Sequence, residues 1–433
     1  MPRLKLLHTL FLHHPLICTD TRKVQKGCIF FALKGPNFNG NSFAQQALNE
    51  GASFAVIDEA EFLNDDRCLL VDNVLKRLQE LARYHRQQMK IPVIAIVGSN
   101  GKTTTKELLT SVLTQKYKVW STPGNLNNHI GVPLTLLQLK PEHEVAIIEM
   151  GANHVGENAE LCEIAQPTLG IITNNGMDHL EGFGSLEGVI QSNRELYDYL
   201  LQHNGHAFVN ANDEALVQMA TNLKHKTTYA GNCDEQKTSA DIEGVADQVR
   251  PEIKFHLAQE ELNIHSHLSG DYNFDNIMAA VSIGLHLGLT SGQIKAGIEN
   301  YIPENNRSQV IKTNSNTLFM DAYNANPSSM EAALRNFAAM PFPKKIAVLG
   351  DMFELGEYAS GEHKRMIGLA NQLGLEKVVF VGEEFAKQAN PDDIAFRTTN
   401  EALAYFKQNP LMDATVFLKG SRGMKLEQLA EVF

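Results

Sequence analysis

The stretch Ile91-Pro-Val-Ile-Ala-Ile-Val-Gly98-Ser99-Asn100-Gly101-Lys102-Thr103-Thr104-Thr105 constrains the fold more than any other part of the chain. The apolar run Val93 to Val97 reads as a strand buried on both faces, as in a parallel sheet. Gly98 and Gly101 allow a sharp turn that points backbone N–H groups inward. Lys102 to Gln115 reads as a helix with Leu108, Leu109, Val112 and Leu113 on one face. A helix N-terminus behind a glycine turn attracts phosphate. In such a loop Lys102 reaches the terminal phosphates of a nucleotide, and the Thr103 hydroxyl holds Mg²⁺. The common pattern has a glycine five residues before the second one, and Ile96 stands there. An ordinary tight turn is the alternative, but the strand and helix on either side favour a phosphate loop.

A chain of 433 residues suggests about three domains. Its net charge of −12, with no basic stripe to offset it, argues against a nucleic-acid partner. The five cysteines, Cys18, Cys28, Cys68, Cys162 and Cys233, are scattered without metal-ligand spacing, so a reduced, cytoplasmic protein is expected. Leu6 to Ile17 is too interrupted by His8, His13, His14 and Pro15 for a signal peptide or membrane span. A monomer is expected.

Residues 1–88 form a first α/β unit, with strands at Cys28–Leu33 and Gly51–Ile57 and helices at Phe43–Asn49 and Val74–Met89. Residues 89–305 form a second, with strands at Val145–Met150, Leu169–Thr173 and Ala207–Asn210, a helix at Tyr272–Leu287, and an antiparallel edge in the alternating stretch 235–267. The order of elements implies a mostly parallel sheet covered by helices. Residues 306–433 form a third. Its strands Thr317–Asp321, Lys345–Leu349, Lys377–Val381 and Thr415–Leu418 each lead into a polar turn, as in a doubly wound Rossmann-like layer. Ligands of such sheets sit beyond the strand C-termini, where Gly350-Asp351, Gly382-Glu383 and Lys419–Gly423 fall.

Several side chains are candidates for chemistry. Glu149 ends a buried strand and suits Mg²⁺, which takes oxygen ligands. His179 also lies just past a strand, and a hydrogen-bonded surface histidine is an equal alternative. Asn125, Asn127 and Asn128 crowd one turn, as turn formers or as amides offered to a ligand. In Asp321-Ala-Tyr-Asn-Ala-Asn-Pro327, Asn326 or Ser328 could cap the next helix, yet the loop is more polar than a cap needs. The turn Lys419-Gly-Ser-Arg422 suits a carboxylate or phosphate, or is simply solvated; Arg422 offers a bidentate fork.

Together these segments resemble the Mur ligases, ATP-dependent amide-bond ligases of peptidoglycan synthesis, over nearly the whole chain. Thr19-Asp-Thr21-Arg22, Gly27 and Phe30–Gly35 are similar to the family's N-terminal UDP-sugar domain. Gly98–Thr103 is similar to its short phosphate loop. The resemblance implies a small UDP-binding domain, a central phosphate-loop ATPase domain and a C-terminal Rossmann-like domain. It implies ATP on Gly98, Ser99, Asn100, Gly101, Lys102, Thr103 and Thr104, with Asn273 and Asn276 on the adenine side. Arg307 falls at the terminal phosphate and Asp321 at the ribose. Thr103, Glu149 and His179 are the implied Mg²⁺ ligands, and Lys102, His179 and Arg307 the catalytic set.

Three stretches, Asn125–Pro133, Asp321–Met330 and Leu349–Gly356, resemble the member that joins D-alanyl-D-alanine to UDP-N-acetylmuramoyl-tripeptide. The implied substrate contacts are Thr21, Arg22, Asn128, Asn324, Asn326, Asp351, Lys419, Ser421 and Arg422. Tyr272 stands where many members have His, and Asn39-Gly-Asn41 where Asp-Gly-His is common. The sharpest departure is Asn193, in place of a lysine that the family carbamylates to help bind a second Mg²⁺. Asparagine offers a neutral oxygen instead, and the neighbouring Arg194 stays protonated. Two further functions remain open: a folate polyglutamate ligase of the same fold, and a weak or non-catalytic UDP-muropeptide-binding protein.

Overall fold

The computed structural model describes residues 4–233, 238–258 and 262–433. It divides into two compact units, one of Met1–Ala95, Tyr117–Ala152 and Gly156–Gly170, the other of Ile96–Lys116, Asn153–Val155 and Ile171–Phe433.

In the first unit, Ile17–Cys18, Ile29–Phe31, Phe54–Ile57 and Cys68–Leu70 form a parallel sheet in chain order. Alternate residues Phe30, Ala55 and Ile57 pack with Ala44, Ala47 and Leu48 of the helix Ala44–Asn49. The helix Val74–Gln88 starts where Asn73 accepts a bond from the Lys76 N–H. Val74, Leu78, Leu81, Ala82 and His85 are its buried stripe. At its end the buried Arg86 guanidinium donates to the carbonyls of Met89, Ala165 and Gln166 at 2.7, 3.0 and 3.1 Å. A cation there satisfies carbonyls that helix ends leave unpaired. Val119–Ser121 and Val145–Glu149 pair in parallel; the sequence reading missed the first, a strand of 3 residues.

In the second unit, His206–Asn210, Lys226–Asn232 and Ile242–Gln248 are parallel neighbours. Ile253–Leu257 and Asn263–Ser266 then continue antiparallel, the edge expected from the alternation over 235–267. Within that stretch, 235–237 and 259–261 lie outside the described residues. The helix Asp271–His286 follows.

The last sheet has the order Gln309–Lys312, Asn316–Asp321, Ala414–Lys419, Lys345–Gly350, Lys377–Val381, Ile394–Phe396. All its pairs are parallel except the first. Side-chain alternation divides its strands between two cores. Leu318, Met320, Ile346, Val348, Val416 and Leu418 pack on one face, whereas Ala347, Leu349, Phe380 and Phe417 pack on the other. Helices therefore cover both faces, the doubly wound arrangement expected. Gln309–Lys312 was not foreseen, being a partly exposed edge of 4 residues.

Candidate active site

The strand Val93–Val97 is buried at every position and delivers the chain into the turn 98–101. Gly98 has φ +124°, and a Cβ on it would lie 2.2 Å from the Thr173 hydroxyl oxygen. Gly101 has φ +80°, and its Cβ would lie 2.6 Å from the Asn276 Oδ1. Neither position admits another residue without displacing its neighbours. The helix Lys102–Leu113 begins directly after the turn. Its first-turn N–H groups, at Lys102, Thr103 and Thr104, have no acceptor within the helix and form the positive end of its dipole. Lys102 donates through Nζ to the carbonyls of Gly98 and Ser99. Its charge therefore lies over the turn, where a phosphate chain would run.

The loop after the strand Leu169–Ile172 clamps this turn. Ser99 N–H donates to the Asn174 carbonyl and Asn100 N–H to the Asn174 Oδ1, both at 3.0 Å. Thr173 and Asn174 side chains donate to the Asn100 carbonyl at 2.6 and 3.0 Å. The same loop carries Asn175, whose Oδ1 accepts from the buried Asn193 at 2.9 Å. The divergent residue is thus built into the wall of the phosphate site. His179 has a left-handed φ of 46° and pairs with Glu354 at 2.5 Å.

A second clamp comes from far along the chain. Asn326 Nδ2 donates to Asn100 Oδ1 at 2.9 Å. Asn326 also caps the helix Pro327–Ala338 in a capping box with Ser329, the capping role expected for it. Met177 N–H donates to the Ser328 hydroxyl at 2.9 Å. Around this turn the predicted residues pair with one another. Asp321 accepts from Lys419 at 2.6 Å and from the Ser308 N–H at 3.3 Å. Lys419 also reaches the Asn324 carbonyl at 3.3 Å. The carboxylate that the basic turn was expected to attract is, for Lys419, one inside the fold. Asp351 is likewise engaged internally. Its two oxygens accept from the Glu384 and Phe385 N–H groups at 2.9 Å, at the start of the helix Glu383–Gln388. Ser421 accepts from the Phe353 N–H at 2.9 Å. Arg422 remains 60 % exposed, beside Glu427.

Arg307 sits among left-handed residues, Asn305, Asn306 and Ser308, at φ 59°, 57° and 48°. Its guanidinium stacks 3.7 Å from the centre of the Tyr323 ring and forms no ion pair among the described residues. Beside it lies a cavity of about 490 Å³, lined in part by Ser269, Tyr272, Ser308, Asp321, Asn336 and Phe337. Burial pushes the Tyr272 phenol well above its ordinary pKa. Asn273 donates to the Ser269 carbonyl at 2.8 Å, and Asn276 to Asn273 Oδ1 at 3.1 Å. These bonds fix the segment 269–276 between the phosphate turn and the cavity.

In the first unit, Glu149 is 2 % exposed. Asn127 Nδ2 donates to its Oε1 at 2.8 Å, while Oε2 has no hydrogen-bond partner among the described residues. A buried carboxylate oxygen without a donor is costly, and a cation relieves that cost. The residue thus fits Mg²⁺, which needs only one or two protein carboxylates because phosphates and waters complete its shell. Accordingly, no group of three or more acidic, His or Cys side chains among the described residues could hold a metal alone. Asn128 Oδ1 accepts from the Ile130 and Gly131 N–H groups, a turn-forming role. Thr21 opens a short helical turn capped by Asp20. The Arg22 guanidinium beside Asp20 holds that carboxyl down at about 2.

Comparison with known proteins agrees with this geometry. Residues 14–97 match the Mur ligase family catalytic domain, 96–284 the Mur ligase middle domain, and 306–422 the Mur ligase glutamate ligase domain. The UDP-N-acetylmuramoyl-tripeptide–D-alanyl-D-alanine ligase of Bacillus subtilis is 33 % identical over 431 residues, 96 % of this chain and 92 % of that protein. The chain belongs to the Mur ligase family. Like its relatives in that family, this Mur ligase uses ATP to form an amide bond. Two solved structures resemble it closely. MurF from Acinetobacter baumannii gives a TM-score of 0.85 at 31 % identity, covering 96 % of this chain and 92 % of that one. MurF from Thermotoga maritima, in complex with ADP, gives 0.86 at 26 %, covering 98 % and 97 %. A folylpolyglutamate synthase of Mycobacterium tuberculosis is 13 % identical at a TM-score of 0.62, a likeness of fold alone.

The structure adds residues that were not foreseen. Tyr323 lies in the loop Asp321–Pro327, and its ring has two arginine neighbours, Arg307 and Arg422. Asn336 is 5 % exposed among Ala333, Leu334 and Phe337, and its Oδ1 has no hydrogen-bond partner among the described residues. A polar residue on the apolar face of the helix Pro327–Ala338 was the signal available for it.

Proposed function

We propose that this Mur ligase joins D-alanyl-D-alanine to UDP-N-acetylmuramoyl-tripeptide in the cytoplasm, through an acyl phosphate. The observation that carries this assignment is the Asn326–Asn100 bond, which links the phosphate turn to the loop Asp321–Pro327. The likeness to D-alanyl-D-alanine ligases over nearly the full length supports it. A carboxylate oxygen of the tripeptide attacks the γ-phosphorus of ATP, the bond to the β-phosphate oxygen breaks, and ADP leaves. The dipeptide amine then attacks the acyl carbon, phosphate leaves with the C–O electron pair, and the amine gives up a proton.

Positioning and electrostatics carry the first step, as in other phosphoryl transfers. Lys102 and the first-turn N–H groups hold the β- and γ-phosphates, and Arg307 meets the terminal phosphate. Asp321, held in place by Lys419, takes the ribose, and the base enters the cavity beside Tyr272. Asn324, Asn326, Ser421 and Arg422 serve the dipeptide. Thr21, Arg22 and Asn128 serve the UDP-muramoyl end. Thr103, Glu149 and His179 are the proposed Mg²⁺ ligands, and the ion would neutralise phosphate charge.

Phosphate release by the parent protein tests the assignment. It is expected to need both UDP-tripeptide and D-alanyl-D-alanine, and release that ignores the dipeptide would sink it. Asn193 gives a separate expectation. Asn193→Lys places a cation at a buried position beside Asn175, so activity should fall without bicarbonate. With bicarbonate the lysine can become an anionic carbamate, and the Mg²⁺ concentration needed for half-maximal rate should drop below that of the parent. An unchanged rate and Mg²⁺ dependence in both conditions would show that this position is not critical here.

A further inference from the structure

Two arginines share one aromatic ring. The Arg307 guanidinium lies 3.7 Å, and that of Arg422 5.7 Å, from the centroid of Tyr323. Both distances are within cation–π range. The ring is held from its own backbone, because the Tyr323 N–H donates to the Asn306 carbonyl at 3.2 Å. That carbonyl belongs to the left-handed segment that presents Arg307. The Tyr323 hydroxyl forms no hydrogen bond among the described residues, so the ring face is what the fold uses. Two guanidinium groups gathered at one ring repel each other, and the negative potential of the aromatic face offsets part of that repulsion. An aromatic face does so without neutralising either charge; Arg422 also has the Glu427 carboxylate 3.4 Å away, at a half-exposed contact that an incoming carboxylate would have to displace.

Resting on the function proposed above, we infer that Tyr323 is a positioning residue that couples the two substrates. Its ring holds Arg307 for the terminal phosphate and Arg422 for the carboxylate of the incoming dipeptide, as one ordered cationic pair. An anion bound by either arginine lowers the repulsion felt by the other. Nucleotide and dipeptide should therefore each favour the binding of the other.

The test compares the parent with Tyr323→Phe and Tyr323→Leu. Tyr323→Gln serves as a second non-aromatic variant if the leucine protein folds poorly by thermal melting. Calorimetry with a non-hydrolysable ATP analogue and Mg²⁺ measures nucleotide affinity without turnover. Phosphate-release assays give KM for ATP, D-alanyl-D-alanine and UDP-tripeptide. The non-aromatic variants are expected to lose about three- to thirtyfold in analogue affinity and in KM for the dipeptide, the range of one cation–π contact. KM for UDP-tripeptide should hold, and Tyr323→Phe should stay within about twofold of the parent on the same scale. The inference is overturned if phenylalanine fails as leucine does, if neither variant changes analogue affinity, or if only the tripeptide KM moves. A parent that releases phosphate without dipeptide overturns the ligase assignment instead, and the calorimetric comparison still decides the Arg307 half.

Discussion

Lys102→Ala should abolish ligation and leave the chain folded. Among the described residues, the Lys102 ammonium bonds only to the carbonyls of its own turn, Gly98 and Ser99, and it belongs to no core cluster. Its removal exposes no cavity, so the melting profile should stay close to the parent's, as for substitutions outside a packed core. The rate is another matter. Lys102 is a flexible cation at the mouth of the phosphate turn, placed to meet the charge that develops during phosphoryl transfer. Loss of a preorganised donor of this kind costs about 10²–10³ in rate, and a full charge should reach the upper end or beyond. Lys102→Arg is not a conservative rescue, because a planar fork cannot follow the contour of the turn as a point charge does. Phosphate release read beside a thermal melt decides the matter: a rate within tenfold of the parent removes Lys102 from the chemistry.

Glu149→Gln should move stability and function in opposite directions. The glutamine amide oxygen can still accept from Asn127, so the local geometry survives. What disappears is a buried carboxylate oxygen without a donor. Leaving such a group unsatisfied costs about 1–3 kcal/mol or more for a charge, so the variant should melt above the parent in metal-free buffer. Added Mg²⁺ with ATP should stabilise the parent more than the variant, and the variant's rate should require far more Mg²⁺. Trade-offs of this sign mark positions where function opposes stability. A variant that melts lower and keeps the parent's Mg²⁺ requirement would make Glu149 a structural acid only.

The sequence disclosed most where local patterns coincide. Gly98–Thr103 was legible because an apolar strand run, two glycines and a helical period follow one another in the single stretch Val93 to Leu113. The doubly wound last layer was legible because each strand ends in a polar turn. The partners of those turns were not legible, since they are non-local. Lys419 finds Asp321 across 98 positions, and Asp351 finds the Phe385 N–H across 34. Both side chains looked free for a ligand in the sequence and are held inside the fold. Tyr323 shows the converse. It was quoted within a motif, yet no periodicity or spacing could say that its ring would gather two arginines. Asn193 was visible as a departure, while its bond to Asn175 needed the loop 173–176 in place.

The bond between Asn100 and Asn326 spans 226 positions and joins two amides. Such a pair is a shared inheritance. A change at Asn326 would strip the nucleotide turn of a support, and a change at Asn100 would leave the Asn326 amide without that acceptor. Drift at either position is therefore penalised twice, and diversification of this enzyme should proceed by paired replacements. Replacing the two residues together by a compatible pair should be tolerated far better than replacing either alone.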